Sequence, residues 1–203
     1  MFPPTPTRPI RTVARALGLV VAASVALLAC SSTSALAASP GCEGQSFSAS
    51  FESLGDLNLY TLVPGSQFNS GEEAWELSGG AQVSQALRPD GTTGGVLELP
   101  AGGKAESPAV CVTLLYPTAR MYLRELAGSG NVKVSVVYAG RSAQGRSVGA
   151  FYANSAWTPT VPFEVRPELG GLAEETREVR FILAASGGHG FQVSGLYVDP
   201  RMR

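Results

Sequence analysis

The sequence predicts an all-β fold, an antiparallel β-sandwich of about ten strands, and two observations support this prediction. Short runs in which apolar and polar residues alternate recur along the chain, as at Val132, Val134, Val136 and Tyr138. Such a period of two places one face of a strand on a core and the other face outward. In addition, no window after the first 37 residues keeps apolar residues at helical spacing for three turns. Many short alternating runs are typical of two packed antiparallel sheets.

The individual strands are predicted from this alternation and from the turn residues between the runs. Pro89-Asp90-Gly91 and Ala101-Gly102-Gly103 supply the backbone conformations that tight connections need. A short helical turn is expected in one place, residues 167–176. The predicted strands are residues 46–51, 74–77, 81–86, 95–99, 104–107, 110–115, 120–126, 132–138, 147–152, 159–165, 178–183 and 190–198.

The first 37 residues have the pattern of a cleaved secretory signal peptide. Arg8, Arg11 and Arg15 precede an apolar run of about 14 residues, and the segment closes on Ala35-Leu36-Ala37. A basic start, a short apolar run and a small-x-small end are the three parts of such a signal, and the run is too short to span a bilayer. We therefore expect cleavage after residue 37 and a secreted, extracellular protein.

A second processing route is open, because residues 27–30, Leu-Leu-Ala-Cys, resemble the lipobox at which bacterial lipoproteins are cleaved and acylated on cysteine. Leu28 stands where a lipobox usually has a smaller residue, so we favour a freely secreted protein over one anchored through a lipid on Cys30. Both routes leave Cys42 and Cys111 as the remaining cysteines. Because exported proteins meet oxidising conditions, we expect these two to form a disulfide.

Removal of the signal leaves about 166 residues, enough for one domain with a sizeable core. We expect a flexible N-terminal segment at 38–45 and a single β-sandwich domain at 46–203, without a transmembrane segment. The chain has 16 acidic and 15 basic residues, and three arginines leave with the signal, so the mature net charge is near −4. Nucleic acid and anionic membrane surfaces are bound through basic patches, and neither is an expected partner.

A series of short motifs runs through the chain after the signal. The motifs are residues 60–65, Phe68 with Gly71, 75–77, 79–81, 97–100, 107–108, 111–112, 116–118, Trp157 and 197–200. Their order resembles the jelly-roll sandwiches of the galactose-binding-like class, which includes many carbohydrate-binding modules, and uncharacterised secreted bacterial proteins built on that plan. This resemblance implies a jelly roll that binds a glycan or another cell-envelope component. Sugar-binding relatives often end on a strand with a Trp and paired acids, but this chain has Phe191-Gln192-Val193-Ser194-Gly195.

The sequence offers little for catalysis. Its one histidine, His189, lies in a glycine-rich turn and is expected to be a solvated turn residue, and no serine stands in a G-x-S-x-G elbow. A glycosidase would need two carboxylates facing each other across a cleft. We therefore expect no enzyme and retain hydrolase only as a third alternative. The acids considered for such a pair are Glu76, Glu98, Glu106, Glu125 and Glu178.

No metal or cofactor is expected. A structural zinc site needs four Cys or His ligands, which this chain does not supply without breaking the expected disulfide. Calcium remains open but disfavoured, because Glu72, Glu73 and Asp90 lie in loops where acids are usually solvated. We thus expect no metal site.

The candidate ligand-binding residues are Tyr122, Arg124, Tyr152 and Arg180. If Met121 and Leu123 face the core, Tyr122 and Arg124 face outward, and planar aromatic rings with arginine beside them suit sugar binding. Tyr152 is a loop aromatic, and Arg180 alternates with core residues on its strand. We expect the outward residues of neighbouring strands, Lys133, Ser135, Arg180 and Gln192, to extend the same polar face.

Two large aromatics are expected to be structural. Trp75 lies on a strand with apolar residues directed inward and is predicted to pack in the core, and Trp157 at a strand entry is predicted to cap one end of the sandwich. Few aromatics then face outward. This favours the alternative function, a structural or protein-interaction role without a small ligand, beside the first hypothesis of a secreted, non-catalytic glycan-binding domain.

Overall fold

The computed structural model describes residues 45–69, 74–113, 117–126, 128, 130–138, 145–165 and 176–199. Within these ranges the chain forms thirteen strands and one 3-10 helix (Glu52–Leu54), and no helix there is long and apolar enough to cross a membrane. The strands exceed the expected ten because three have only two residues. They are β1 (Thr61–Leu62), β2 (Glu76–Ser78), β3 (Gln82–Leu87), β4 (Thr93–Leu99), β5 (Lys104–Glu106), β6 (Val110–Thr113), β7 (Thr118–Glu125), β8 (Gly130–Tyr138), β9 (Arg146–Phe151), β10 (Thr158–Pro159), β11 (Phe163–Glu164), β12 (Thr176–Gly187) and β13 (Phe191–Asp199).

The strands form two antiparallel sheets, which confirms the predicted all-β class. The first sheet has the order β10-β7-β13-β4-β3, with β1 also pairing with β13 and β11 with β7. The second sheet has the order β2-β5-β12-β8-β9, with β6 also pairing with β12. The long central strands β13 and β12 each pair with three others, so they fix the register of most of the fold.

The apolar core takes alternate residues from both sheets. Val132, Val134 and Val136 of β8 are at most 1% exposed, and so are Met121 and Leu123 of β7. These residues belong to one cluster of buried side chains, as the alternation predicted. The side chains between them on β7 lie on the opposite side of the first sheet, which we call its outer face.

A β-bulge in β13 changes which residues face the core. The register against β7 shifts between Ser194 and Leu196, and the intervening Gly195 has a φ of 63°. A side chain there would be strained and would meet the ring of Tyr197. Ser66 accepts hydrogen bonds from two backbone amides at the bulge. Its carbonyl accepts from Gly195 N at 2.9 Å, and its hydroxyl accepts from Leu196 N at 3.2 Å. The extra residue keeps Leu196 in the core and turns Tyr197 to the outer face.

Two predicted strands form differently. Residues 46–51 make only an isolated bridge, between Ser48 and Tyr60, before the 3-10 helix begins. Residues 159–165 divide into β10 and β11, because Pro159 and Pro162 have no N–H to donate to a continuous ladder. The helical turn expected at 167–176 lies outside the described residues, apart from Thr176, which begins β12.

Residues 48–60 form a covering loop over part of the outer face of the first sheet. Ser48 and Tyr60 close it through two backbone hydrogen bonds of 2.9 Å. Phe51 is fully buried by it, stacked on Tyr122 with ring centroids 5.6 Å apart and in edge contact with Tyr197 at 5.1 Å. The sequence alternation placed Phe51 on a strand, whereas it fills the space above this sheet.

An ion pair holds the covering loop to the sheet. Arg120 Nη1 donates to Asp56 Oδ2 at 2.7 Å, and the Arg120 guanidinium carbon lies 4.3 Å from the Phe51 ring centroid. The other end of the guanidinium, Nε, donates to the Thr160 carbonyl at 2.9 Å. Tyr60 Oη also donates to Asp56 Oδ2, at 2.8 Å. One nearly buried cation therefore joins the loop, the strand β7 and the segment after β10.

The ionisation of Asp56 is tied to this arrangement. Burial raises its pKa, but the hydrogen bonds from Tyr60, Arg120 and the Asn58 amide outweigh burial and hold the pKa below the ordinary value of 3.8. Burial, followed by the hydrogen bond to Asp56, raises the pKa of Tyr60 to about 12. The carboxylate form of Asp56 is therefore the form that the folded chain binds.

Replacing Asp56 with Asn should destabilise the fold by about 3 kcal/mol, because it leaves the charge of Arg120 buried without its partner. A carboxyl whose pKa is lowered on folding stabilises above its unfolded pKa and ceases to do so as the pH falls through its folded pKa. Urea unfolding should therefore show that the native chain loses stability as the pH falls below 3.8. The Asp56→Asn variant should not show this loss. The control is Glu52→Gln, an exposed change on the same loop; an equal effect there would contradict the assignment.

Candidate functional site

Three neighbouring strands place polar side chains in one row on the outer face of the first sheet. Gln192 of β13 is the pairing partner of Glu98 on β4 and of Arg124 on β7. Their sequence neighbours Leu97, Val193 and Leu123 are buried in the core, so the polar side chains project from the other side. A continuous polar row thus crosses the middle of this sheet.

Hydrogen bonds join this row into a polar network, which we define as Ser84, Glu98, Gln192 and Arg124. Arg124 donates through Nε and Nη2 to Gln192 Oε1 at 2.8 and 2.6 Å. Gln192 Nε2 donates to Glu98 Oε2 at 3.3 Å, and Ser84 Oγ donates to the same oxygen at 2.9 Å. Gln192 is only 5% exposed and therefore fixes the orientation of both charged neighbours.

Trp157 forms a wall of the site beside Arg124. The pairing of Thr158 with Leu123 brings Trp157 next to the row, and the Arg124 guanidinium carbon lies 4.7 Å from its ring centroid. Arginine stacked on an indole ring is attracted by the negative face of the ring. Trp157 therefore holds the plane of the guanidinium that Gln192 binds at its edge.

The same tryptophan shows that the outer face is strongly curved. Trp157 Nε1 donates to the Leu87 carbonyl at 2.7 Å, although β3 and β10 are at opposite edges of the strand order. Neighbouring strands lie about 4.8 Å apart, so a flat sheet would separate these edges by about 19 Å. The sheet must curl for one indole ring to reach from edge to edge, which makes the outer face a trough.

Part of the floor of the trough is covered. Val96 and Ser194, on the outer face between the polar network and the covering loop, are 0% and 3% exposed. Tyr122 and Tyr197 are partly covered as well, and burial raises the pKa of each. Ser84, Glu98 and Arg124 of the polar network remain partly exposed, with Trp157 beside them.

The four predicted ligand residues do not come together. Tyr122 and Arg124 face outward on β7, as predicted from the burial of Met121 and Leu123, but Phe51 stacks on Tyr122. Arg180 lies on β12 in the second sheet and donates from Nη1 to Glu106 at 3.0 Å.

The prediction that the outward residues of neighbouring strands extend one polar face beside Arg124 was wrong. Lys133 and Ser135 lie on β8, which with β12 belongs to the second sheet, so of the predicted neighbours Gln192 alone accompanies Arg124. Tyr152 follows β9 and is 76% exposed, away from the polar network in the strand order. Local alternation gives the face of a strand but not the sheet to which the strand belongs.

Of the two tryptophans, Trp75 behaves as predicted and Trp157 does not. Trp75 is 5% exposed in the core, and its Nε1 donates to the Pro64 carbonyl at 3.0 Å. Trp157 lies over the outer face instead of capping an end of the sandwich. Sequence reasoning missed Ser84 and the role of Glu98 beside Gln192; their outward alternation with Val83 and Leu97 was the available signal.

The groups considered for catalysis and metal binding are mostly engaged elsewhere. His189 is half-buried, and its imidazole packs where a side chain on Gly128 would stand. Asp90 accepts from the Thr92 hydroxyl and amide, and these bonds, the hydroxyl first, lower its pKa.

The carboxylates do not form a metal site in the part of the chain that the structure describes, which contains no cluster of three His, Cys, Asp or Glu side chains. Glu76 and Glu106 pair across β2 and β5, but Glu106 is bound by Arg180. Glu72 and Glu73 lie outside the described residues.

Comparison with known proteins identifies the fold. No protein-family model and no curated protein matches the sequence. Among solved structures, the CBM22-1–GH10 modules of endo-1,4-beta-D-xylanase 10B from Clostridium thermocellum, complexed with xylohexaose, have a TM-score of 0.50 at 12% identity, over 68% of this chain and 28% of that one. The chain has the β-sandwich fold of carbohydrate-binding modules. This confirms the jelly-roll resemblance for the fold. At such low identity the similarity does not establish a function.

Two other similar structures are also carbohydrate-binding modules. The CBM22-1–CBM22-2 tandem domain of Paenibacillus barcinonensis Xyn10C has a TM-score of 0.48 at 14% identity, over 68% of this chain and 44% of that one. The C-terminal CBM6 of LamC from Zobellia galactanivorans has a TM-score of 0.44 at 13% identity, over 69% of this chain and 98% of that one. The chain thus spans less than half of the xylanase and tandem-domain chains.

Replacing Trp75 with Ala should cost about 4 kcal/mol of unfolding free energy, because it leaves a cavity between the sheets. Replacing Trp157 with Ala should cost only about 1 kcal/mol, because the half-exposed ring loses one hydrogen bond and one cation–π contact. Urea unfolding followed by circular dichroism compares the two variants. Equal losses would contradict the assignment of one ring to the core and the other to the outer face.

Proposed function

We propose that this chain is a non-catalytic binding domain that holds a glycan or other cell-envelope component in the trough of the first sheet. The observation that carries the proposal is the indole ring of Trp157 beside the polar network, on a concave face. Sugars are bound by aromatic rings that cover their apolar faces and by fixed donors and acceptors for their hydroxyls. Arg124 supplies donors, Glu98 supplies acceptors, and Gln192 holds both in place.

The shape of the trough limits how a ligand enters. Val96 and Ser194 are covered, so a ligand contacts the polar network and the Trp157 edge without reaching the floor beside them. A single extended chain or the end of one fits this space better than a flat crystalline surface. The domain would then recognise a soluble or exposed glycan strand.

A hydrolytic role receives no support from the site. Two-carboxylate hydrolysis needs a second acid facing the first across the ligand. On the described outer face Glu98 accepts from Ser84 and Gln192, while Asp56 is held by Arg120 beneath the covering loop. We therefore assign binding without turnover.

Binding should depend on Trp157 and Gln192. Isothermal titration of the purified exported chain against a panel of soluble plant and bacterial oligosaccharides should find at least one ligand. Trp157→Ala and Gln192→Ala should each weaken it about tenfold or more, because each removes a contact and releases Arg124 from its orientation.

The matched control for that titration is Arg146→Gln, which removes an exposed arginine on the second sheet and should leave affinity unchanged. Equal affinity of all three variants would place the ligand elsewhere. Failure of the native chain to bind any glycan would reject the proposal.

A second function, protein interaction without a small ligand, is favoured by the apolar surface of the N-terminal part of the fold. Leu54 and Leu57 on the covering loop are 52% and 73% exposed, and Phe47 and Leu59 are also exposed. This hypothesis predicts that the native chain binds no glycan. It also predicts that a partner protein from the culture binds the native chain but not the Leu54→Ser, Leu57→Ser double variant.

We also propose that the chain is exported and that Cys42 and Cys111 form a disulfide. Cys111 is buried on β6, and its carbonyl accepts from Gln45 Nε2 at 3.3 Å. Cys42 lies outside the described residues, but it precedes Gln45 by three positions, so the chain between them spans about 11 Å at most. The proximity of Gln45 to β6 supports the pairing that cysteine parity predicts.

Intact-mass measurement of the secreted protein tests both proposals. An N-terminus at Ala38 with the mass of two fewer hydrogens than the dithiol is the expected result, and a lipid adduct on Cys30 would instead indicate an anchored protein. Cys42→Ser should lower the unfolding free energy by about 4 kcal/mol, since it opens a loop of about 70 residues. A free dithiol of unchanged stability would reject the disulfide.

A further inference from the structure

Arg124 has no carboxylate partner among the described residues, unlike three other arginines of the fold. Arg120 binds Asp56, Arg180 binds Glu106, and Arg88 lies 4.0 Å from Asp90. Arg124 is half-buried, yet among the described residues its hydrogen bonds go to the neutral oxygen of Gln192 and its remaining contact is the ring of Trp157. The site therefore contains a cation that the fold has oriented without neutralising it.

The orientation leaves one edge of the guanidinium available. Gln192 accepts from Nε and from one N–H of Nη2, so Nη1 and the second N–H of Nη2 remain as a pair of parallel donors. Two parallel N–H groups match the two oxygens of a carboxylate. Because Gln192 and Trp157 already restrict the side chain, little rotational freedom remains to be lost on binding.

The carboxylate of Glu98 does not take this place. Ser84 and Gln192 bind it on the far side of the amide, so the Gln192 side chain stands between this carboxylate and Arg124. Glu125, the next residue after Arg124, alternates toward the opposite side of β7. An anion at the free edge of Arg124 thus meets a cation first and Glu98 only across Gln192.

We infer that the free edge of Arg124 receives the carboxylate of an acidic sugar, so that the ligand of the trough is a uronic-acid-bearing glycan. This inference rests on the proposed function and specifies its ligand class. The Trp157 ring covers the guanidinium plane, while Gln192 keeps the donor edge directed at the carboxylate. A neutral sugar would leave the charge of Arg124 without a counter-ion.

The test compares one glycan with and without its charge. The exported native chain is titrated with a homogalacturonan fragment and with the same fragment methyl-esterified, which keeps the sugar and removes the carboxylate charge. We expect the acid to bind about tenfold or more tightly than the ester. Arg124→Gln should abolish this preference, so that the acid binds no more tightly than the ester, and Arg124→Lys should restore only part of it because an ammonium has no fork.

The controls separate this inference from the proposed function. Arg146→Gln should keep the full preference for the acid. Equal binding of acid and ester by the native chain overturns the inference and leaves glycan binding standing, whereas binding of neither fragment nor any neutral oligosaccharide overturns both. A sulfated galactan that binds as tightly as the uronate and through Arg124 would overturn the assignment of a planar carboxylate.

Discussion

The register of β13 against its neighbours is the constraint on which the rest of the first sheet depends. This strand pairs with β7, β4 and β1, so its alternation decides which residues of four strands share a face. Before the bulge at Gly195 it directs Phe191 and Val193 inward and Gln192 outward; after it, Leu196 is inward and Tyr197 outward. The polar network and the aromatic surface beneath the covering loop both follow from this one strand.

The outer face of the first sheet is divided by what covers it. On one side the ion pair between Arg120 and Asp56 holds Phe51 against Tyr122, and burial of two charges is tolerated because each has further hydrogen bonds besides the pair itself. On the other side Trp157 spans the trough from edge to edge. The protein's own side chains therefore cover much of this face, and a ligand meets a short polar segment between two covered regions.

Two arginines on one strand show how this division operates. Arg120 and Arg124 both face outward on β7, but Arg120 has a carboxylate, a carbonyl and a ring around it, whereas Arg124 has an amide and a ring. The first is a structural cation whose charge is neutralised within the fold. The second has no counter-ion within the described part of the fold and keeps free N–H donors on one edge of its guanidinium. Arg120 therefore connects segments of the fold, whereas Arg124 can bind a ligand.

The sequence by itself determined the fold class, the inward positions of Trp75, Met121 and Leu123, and the outward direction of Arg124. These properties depend on a period of two along a single strand, which is local. Only the tertiary structure decided that Arg180 belongs to the second sheet, that Phe51 leaves its run to cover Tyr122, and that Trp157 reaches Leu87. Strand pairing, the bulge and the curvature join residues far apart in the chain, and alternation within one segment holds no information about its distant partners.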